Sequence, residues 1–402
     1  MIIYKCDIFA YAIVLFPIFN LIGGWTGYYD EVIGLISLFY VIVLLIRKGL
    51  EKEDRKIFLI LCAVTCIGLI SNFLSKLTNN AMAVAVDILW LWKMYACFIA
   101  FRYIASNRYY GKRINYVLIK YAKFIIVTCF LMSLIGQVVD IGVTGKIEFG
   151  NIKSFLFFWN NAIQTGWLLF GAVVILAFSG ISEKKFRRYL ILAIIPMLLT
   201  CSSLVLCWVF AALYLFWMLN EDKLFKKRYL LFLALGVVIF TSADISTYIL
   251  SESVRMTMLK YGAITANTYF PFGSGFATYG SEMAARYYSP LYIKYGWEHL
   301  WALGRGGKFL NDNFYASIIG QFGWIGFGLY LLILLCLLNL FNSRDFNKRE
   351  RATTIATVIT IAVVMIGSAS AKSMMGVFMF AILGLASSKS EWENNDEEEF
   401  QI

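Results

Sequence analysis

Apolar runs of similar length recur along almost the entire chain, and short polar segments separate them. A helix needs about 20 mostly apolar residues to cross a bilayer. We therefore predict an all-α polytopic membrane protein of about 12 transmembrane helices, with residues 1–402 forming a single integral membrane domain. The predicted spans cover residues 6–22, 31–46, 57–75, 80–101, 116–139, 155–180, 188–201, 203–219, 229–247, 313–341, 352–368 and 371–387.

The basic residues between these spans predict the orientation of the chain. Clusters of lysine and arginine follow spans two, four, six, eight and ten, so that every even-numbered loop is basic, and the clusters begin at Arg47, Arg102, Lys184, Lys223 and Arg344. Because cytoplasmic loops are enriched in lysine and arginine, the even-numbered loops, both termini and the acidic tail 388–402 are predicted to be cytoplasmic. A missed span would move every later cluster to the other side, so the alternation also favours the count of twelve spans.

Composition excludes several classes of protein. With 60% hydrophobic and 15% charged residues, the chain is too apolar for a soluble protein of this length. The net charge of +11 comes from separated clusters rather than one basic face, so we expect no nucleic-acid partner. The eight cysteines lie in or beside apolar runs and only one histidine is present, so we expect no disulfide, metal or cofactor. The absence of a phosphate-binding lysine loop excludes ATP-driven transport within this chain.

Residues 248–312 form one large extracytoplasmic loop between the predicted spans nine and ten. Loops of this length commonly carry function. Because basic residues are disfavoured on the outer side of a membrane, their presence here favours binding of phosphate or diphosphate, with ordinary solvated charge as the alternative. The basic residues are Arg255, Lys260, Arg286, Lys294, Arg305 and Lys308, and the only histidine, His299, lies among them. We predict little apolar content in this loop, and a segment 291–303, with Trp297 and Trp301, that lies along the membrane interface.

Three further features could carry chemistry. Gly273 and Gly275 lie in an aromatic, glycine-rich segment that is either a plain tight turn or a phosphate-binding turn with exposed backbone amides. Asp312 precedes span ten, where it is either a helix cap or a general base whose pKa is raised at the membrane edge. Asp87 and Lys93 lie within span four, which predicts an intramembrane pair or a cavity contact.

From Arg255 to Gly328 the chain resembles the O-antigen polymerase and ligase family, which are polytopic glycosyltransferases. The resemblance lies in the order of an arginine after a span, a glycine-rich turn, an Asp-Asn step and a glycine-spaced helix. These features are Arg255, then Pro271, Gly273, Gly275 and Gly280, then Asp312 and Asn313, then Gly320, Gly323 and Gly326. Asp312 stands where the ligase branch usually has histidine, which favours a polymerase, and Cys201 to Ser203 replace a family arginine near span eight.

The resemblance implies an activity and a set of site residues. It implies transfer of a growing glycan from polyprenyl diphosphate to a sugar hydroxyl of the next lipid-linked repeat unit, inverting and without a metal, in O-antigen, capsule or exopolysaccharide synthesis. Asp312 would act as the base and Arg255 would stabilise the departing diphosphate, so both are predicted to be catalytic. The predicted substrate-binding residues are Arg286, Arg305, Lys308, Gly273, Gly275, Asn313 and His299.

The implied setting is the bacterial cytoplasmic (inner) membrane, where the partners would be the lipid bilayer, a polyprenyl-diphosphate-linked oligosaccharide, a chain-length regulator and a flippase. Two rival functions remain open. An O-antigen ligase would move finished glycan to a different acceptor. A polysaccharide flippase or secondary transporter commonly has internal repeats, and we find no repeat between the two halves of the sequence.

Overall fold

The computed structural model describes residues 7–78, 80–149, 151–159, 161–219, 254–307, 309–342 and 346–388, and these form a helical bundle. The helices are α1 Asp7–Ile22, α2 Tyr29–Arg47, α3 Lys52–Ser75, α4 Ala81–Ser106, α5 Arg108–Val138, α6 Ala162–Ala177, α7 Glu183–Leu199, α8 Ser203–Met218, α9 Val254–Thr268, α10 Glu282–Arg286, α11 Pro290–Lys294, α12 Phe314–Asn342, α13 Lys348–Gly367 and α14 Met374–Ser387. Short 3₁₀ turns lie at Gly24–Tyr28, Trp297–His299 and Ser370–Lys372. An antiparallel hairpin joins β1 Thr144–Phe149 to β2 Ile152–Phe155.

Helices lie at eleven of the twelve predicted spans, and the ninth, residues 229–247, lies outside the described residues. Lys223, Arg344 and the acidic tail after Ser388 lie outside them too. The predicted sixth span begins too early, because residues 152–155 pair as β2 and the helix starts only at Ala162. The side chain of Asn161 fixes that start by accepting the amide N–H of Ile163 at 3.0 Å.

Among the described residues, six helical segments are long and apolar enough to cross a membrane: Gly24–Arg47, Lys52–Ser75, Ala81–Ser106, Arg108–Val138, Phe314–Asn342 and Lys348–Gly367. The helices α1, α6, α8 and α14 are apolar but shorter. By the length and composition of its helices, the described part of the chain is therefore a mainly helical membrane protein, with one two-stranded hairpin as its only sheet.

The centre of the bundle is formed by α4 and α14. Residues 91–102 of α4 are all buried, and so is every residue of α14. The two helices approach closely because Gly384 presents only hydrogen to the Phe98 carbonyl, where a Cβ would come within 2.2 Å of the oxygen. Peripheral helices instead expose large apolar side chains such as Phe39 and Phe73, which is favourable only where the surroundings are lipid.

Polar contacts join the loops in two separate groups. Arg102 pairs with Glu51 and Asp54, and Arg113 pairs with Asp7 at 2.8 Å, which connects the predicted even-numbered loops and the N-terminal end of α1. Residues of the predicted first, ninth and eleventh loops meet around one cavity, described below.

Candidate functional site

A cavity of about 340 Å³ lies where the predicted outward loops converge. Its wall includes the ends of α1 and α2, the middle of α4, the start of α6 and three loop segments. The charged residues in the wall are Asp30, Glu31, Glu282, Asp312, Lys93 and Lys372. The long predicted loop contributes residues 280–282 and 311–312, and the turn before α14 contributes residues 368–373.

Arg255 and Asp312, the two predicted catalytic residues, are in direct contact. The Nε and Nη2 atoms of Arg255 donate to Oδ2 of Asp312 at 3.0 and 2.7 Å. Among the described residues, none donates a hydrogen bond to the other oxygen, Oδ1. Asp312 lines the cavity and its side chain is 27% exposed, so one carboxylate oxygen is held by the guanidinium and the other remains available to a ligand.

The surroundings of Asp312 change its acidity. Burial raises the pKa of this carboxyl above its ordinary value of 3.8, and the charge and hydrogen bonds of Arg255 oppose the rise. The pKa rises because the carboxylate loses hydration on burial. The stabilisation that it gains from the adjacent guanidinium is smaller than the stabilisation that it loses with its water. A carboxylate with a raised pKa is a stronger base than an aspartate in water.

Asp87 and Lys93 do not form the pair that their positions in span four allowed. Lys93 pairs with Asp30 and with Glu31, at 3.1 Å to the latter, on the neighbouring helix α2. Asp87 accepts the amide N–H of Ala277 at 2.8 Å and a side-chain N–H of Gln321 at 3.0 Å. The six-residue separation places the two side chains of α4 on different sides, so that Lys93 faces the cavity and Asp87 anchors the glycine-rich segment.

The Lys93 pair gives a test of the bundle. We expect Lys93→Met to destabilise the folded protein by about 3–5 kcal/mol, because it leaves the buried carboxylate of Asp30 without its counterion. Lys120→Met, at an exposed lysine on α5, is the matched control and should leave the unfolding midpoint unchanged. Thermal unfolding of the detergent-purified protein measures both, and equal midpoints for the two variants would contradict the assigned pair.

Gly273 and Gly275 serve the packing of the chain and not a phosphate. The helix α12 is interrupted at Gly323, whose φ of 65° and ψ of −169° are not helical. The carbonyl groups of Gly320 and Gln321 accept the amide N–H groups of Ser274 and Gly275 at 3.0 and 2.8 Å. The glycine-rich segment is thereby fixed against the interrupted helix.

Four more amides of this segment are also occupied. Those of residues 273, 276, 277 and 280 donate to Tyr269, Asn72, Asp87 and Tyr292 respectively. A phosphate nest needs free N–H groups that point at the ligand, and these point at protein acceptors. The prediction that Gly273 and Gly275 contact the substrate is therefore wrong for these amides, and the plain tight turn is the correct alternative.

Asn313 caps a helix. Its Oδ1 accepts the amide N–H of Ala316 at 3.0 Å, and its Nδ2 donates to the carbonyl oxygens of Arg255 at 3.4 Å and Ile366 at 3.2 Å. The side chain is buried, so Asn313 joins α9, α12 and the end of α13 and does not line the cavity. It places Asp312, its neighbour in sequence, at the cavity wall.

The remaining predicted binding residues that the structure describes do not line the cavity. Arg286 and Arg305 are exposed, with ion pairs of 3.7 Å to Glu282 and 3.4 Å to Glu298. His299 and Arg305 line a separate shallow depression. Lys308 lies outside the described residues. The structure therefore does not gather the predicted substrate-binding arginines around Asp312.

The long predicted loop contains a small aromatic core. Trp297 is 1% exposed and stacks on Tyr292 at a ring distance of 5.2 Å, with Tyr279 and Tyr288 packed nearby. Trp301, by contrast, is 91% exposed. The prediction that this loop has too little apolar content to build a core is therefore wrong, whereas the placement of the segment 291–303 along the membrane interface stays a prediction. The aromatic residues are unevenly spaced, so no periodic pattern indicated that they pack together.

Lys372 is one of three charged cavity residues that sequence reasoning missed, with Asp30 and Glu31. It falls within the predicted last span, 371–387, but the helix begins only at Met374 and Lys372 lies in the preceding turn. Its only signal in the sequence is a single charge at the edge of an apolar run. No group of three or more His, Cys, Asp or Glu side chains in the described part of the chain is placed to hold a metal ion.

No family model matches this sequence, and no curated protein matches it either. The chemistry of the cavity is therefore argued from its own residues.

Proposed function

We propose that this protein is a membrane glycosyltransferase that polymerises lipid-linked saccharide repeat units. The observation that carries the proposal is the carboxylate of Asp312, which Arg255 holds through one oxygen at the wall of a polar cavity. A base with an adjacent guanidinium suits transfer to a hydroxyl group with departure of an anionic leaving group.

The proposed reaction is a single displacement at the anomeric carbon of the growing glycan. The hydroxyl oxygen of the next repeat unit forms a bond to that carbon, and Asp312 takes the hydroxyl proton on Oδ1. The bond from the carbon to the diphosphate oxygen breaks, and its electron pair leaves with the polyprenyl diphosphate. Arg255 keeps Asp312 oriented and contributes positive charge beside the departing anion.

The proposal includes the setting of the chain. It has twelve spans in the bacterial cytoplasmic membrane, both termini in the cytoplasm, and the cavity on the outer side. The basic even-numbered loops and their contacts with one another support this orientation. A flippase that supplies the lipid-linked repeat and a chain-length regulator are the partners that such an enzyme requires.

Purified full-length protein in proteoliposomes with a synthetic polyprenyl-diphosphate-linked repeat unit tests the proposal. We expect a ladder of lipid-linked products that differ by one repeat. In cells, loss of the gene should leave single repeats on the lipid carrier. Long polymer that accumulates on the carrier in the null strain would instead identify a ligase.

The buried Lys93 pair favours one second candidate, a secondary transporter, because charges inside a membrane bundle often line a transport path. The same null strain separates the two functions. Repeat units trapped on the cytoplasmic leaflet indicate a transporter, whereas single repeats on the outer leaflet indicate a polymerase.

A further inference from the structure

Lys372 differs from the other lysine of the cavity. Lys93 pairs with two carboxylates, whereas Lys372 forms no ion pair with any described residue. The Nζ atom of Lys372 donates to Oγ of Ser317 at 3.1 Å and lies 4.8 Å from the centre of the Phe314 ring. Lys372 and Asp312 line the same cavity. The direct partners of this ammonium group among the described residues are therefore a neutral hydroxyl and an aromatic ring, and no carboxylate is in contact with it.

The backbone around Lys372 is closely packed, so the position of the side chain is fixed before a ligand binds. The amide N–H of Lys372 donates to the Ala369 carbonyl at 2.9 Å, and Trp167 donates to Oγ of Ser370 at 3.1 Å. A Cβ at Gly376 would lie 2.0 Å from the Ala371 carbonyl oxygen, so the chain after the turn has room only for glycine. Such preorganisation lowers the entropy lost on binding.

We infer that Lys372 binds a diphosphate group in this cavity, and that this group is the one that leaves the glycan in the proposed reaction. The inference deepens the proposed function and rests on it for the identity of the ligand. The bound anion would supply a negatively charged group in direct contact with Lys372. Arg255 is already engaged by Asp312, so Lys372 is the cation of the cavity wall without a carboxylate partner among the described residues.

The charge on Lys372 also gives the site a pH dependence. Burial lowers the pKa of Lys372 to about 8, while Asp87 acts to raise it and Lys93 to lower it. The other charged groups of the cavity wall are Asp30, Glu31, Glu282 and Asp312. An anion binds the protonated lysine, so affinity for the anion should be highest below pH 8 and should fall as the pH rises through that value.

Binding of inorganic pyrophosphate to the detergent-purified full-length protein, followed by calorimetry at pH 7 and pH 9, tests the inference. We expect Lys372→Met to weaken binding about tenfold or more at pH 7, and Lys372→Arg to retain most of it. Lys294→Met, at an exposed lysine of the long predicted loop that does not line the cavity, is the matched control and should bind as the parent does. The parent should lose affinity at pH 9 and Lys372→Arg should not.

Three results of the pyrophosphate titrations would overturn the inference. These are unchanged affinity in Lys372→Met, equal loss in Lys294→Met, and loss in Lys372→Arg with an unchanged unfolding midpoint. Farnesyl diphosphate, used as a second probe, tests whether the bound diphosphate can carry a lipid chain. Binding of pyrophosphate without binding of farnesyl diphosphate would overturn the assignment of a lipid-linked ligand. Polymer made normally by Lys372→Met would refute the inference and leave the proposed function standing. Diphosphate binding that requires Lys372 in a protein that makes no polymer would refute only the proposed function.

Discussion

Asp312→Asn should abolish polymer formation while the protein remains folded and inserted. Asparagine keeps the shape of the side chain and still accepts a hydrogen bond from Arg255, but it takes no proton from the acceptor hydroxyl. Loss of a general base commonly costs about 10²–10⁴-fold in rate, which in a stepwise polymerisation removes all long products. The measurement is the product ladder of the purified variant in proteoliposomes.

The matched control is Asp140→Asn, at an exposed aspartate in another predicted outward loop, whose Oδ1 accepts only the local amide N–H of Gly142. This variant should give the parental ladder. Full-length product from Asp312→Asn would remove Asp312 from the role of base. Arg255→Ala should also abolish product, because it releases Asp312 and removes the adjacent positive charge.

The pH profile of the parent gives a second readout of Asp312. A base acts only as a carboxylate, and burial raises the pKa of Asp312. Activity should therefore be complete above that raised pKa and should fall as the pH falls through it. The acid limb should lie at higher pH than the ordinary aspartate value of 3.8. An acid limb at the ordinary value would contradict the buried environment of this group.

Gly273→Ala should prevent the protein from reaching its native fold. A Cβ at residue 273 would lie 2.4 Å from the Gly323 nitrogen and 2.7 Å from the Gln321 carbonyl carbon, both of which are backbone atoms of the interrupted helix. The φ of 78° adds strain for any residue with a side chain. Together the clash and the strain should cost about 3 kcal/mol or more. The measurements are the unfolding midpoint and the monodisperse yield in detergent.

Gly296→Ala is the matched control for this substitution. Gly296 also has a left-handed φ, of 70°, but a Cβ there would meet no atom within 4 Å. It therefore carries the strain without the clash and should lower the midpoint only slightly. Equal effects of the two variants would show that the close contact between the glycine-rich segment and α12 is not what makes Gly273 necessary.

The sequence by itself determined where eleven helices lie, and it predicted the alternation of the loops between them. Both are local properties. The length of a span is read from one continuous apolar run, and a cluster of lysines lies directly beside the span that it follows. The sequence also predicted Arg255 and Asp312 as catalytic residues. That prediction rests on their order along the chain, and nothing in the sequence indicates that the two side chains are in contact.

Only the tertiary structure decided what each polar group contacts. From the sequence, the amides of the glycine-rich segment are candidates for binding phosphate. In the structure, the N–H groups of Ser274 and Gly275 donate to the carbonyl groups of Gly320 and Gln321, 46 residues further along the chain. Asp87 on the same helix was a plausible partner for Lys93, but Lys93 pairs with Asp30 on α2. Lys372 lies at the cavity wall because the last helix begins only after it. The physical reason is that a hydrogen bond or ion pair depends on distances between segments far apart in sequence, and hydrophobic periodicity carries no information about those distances.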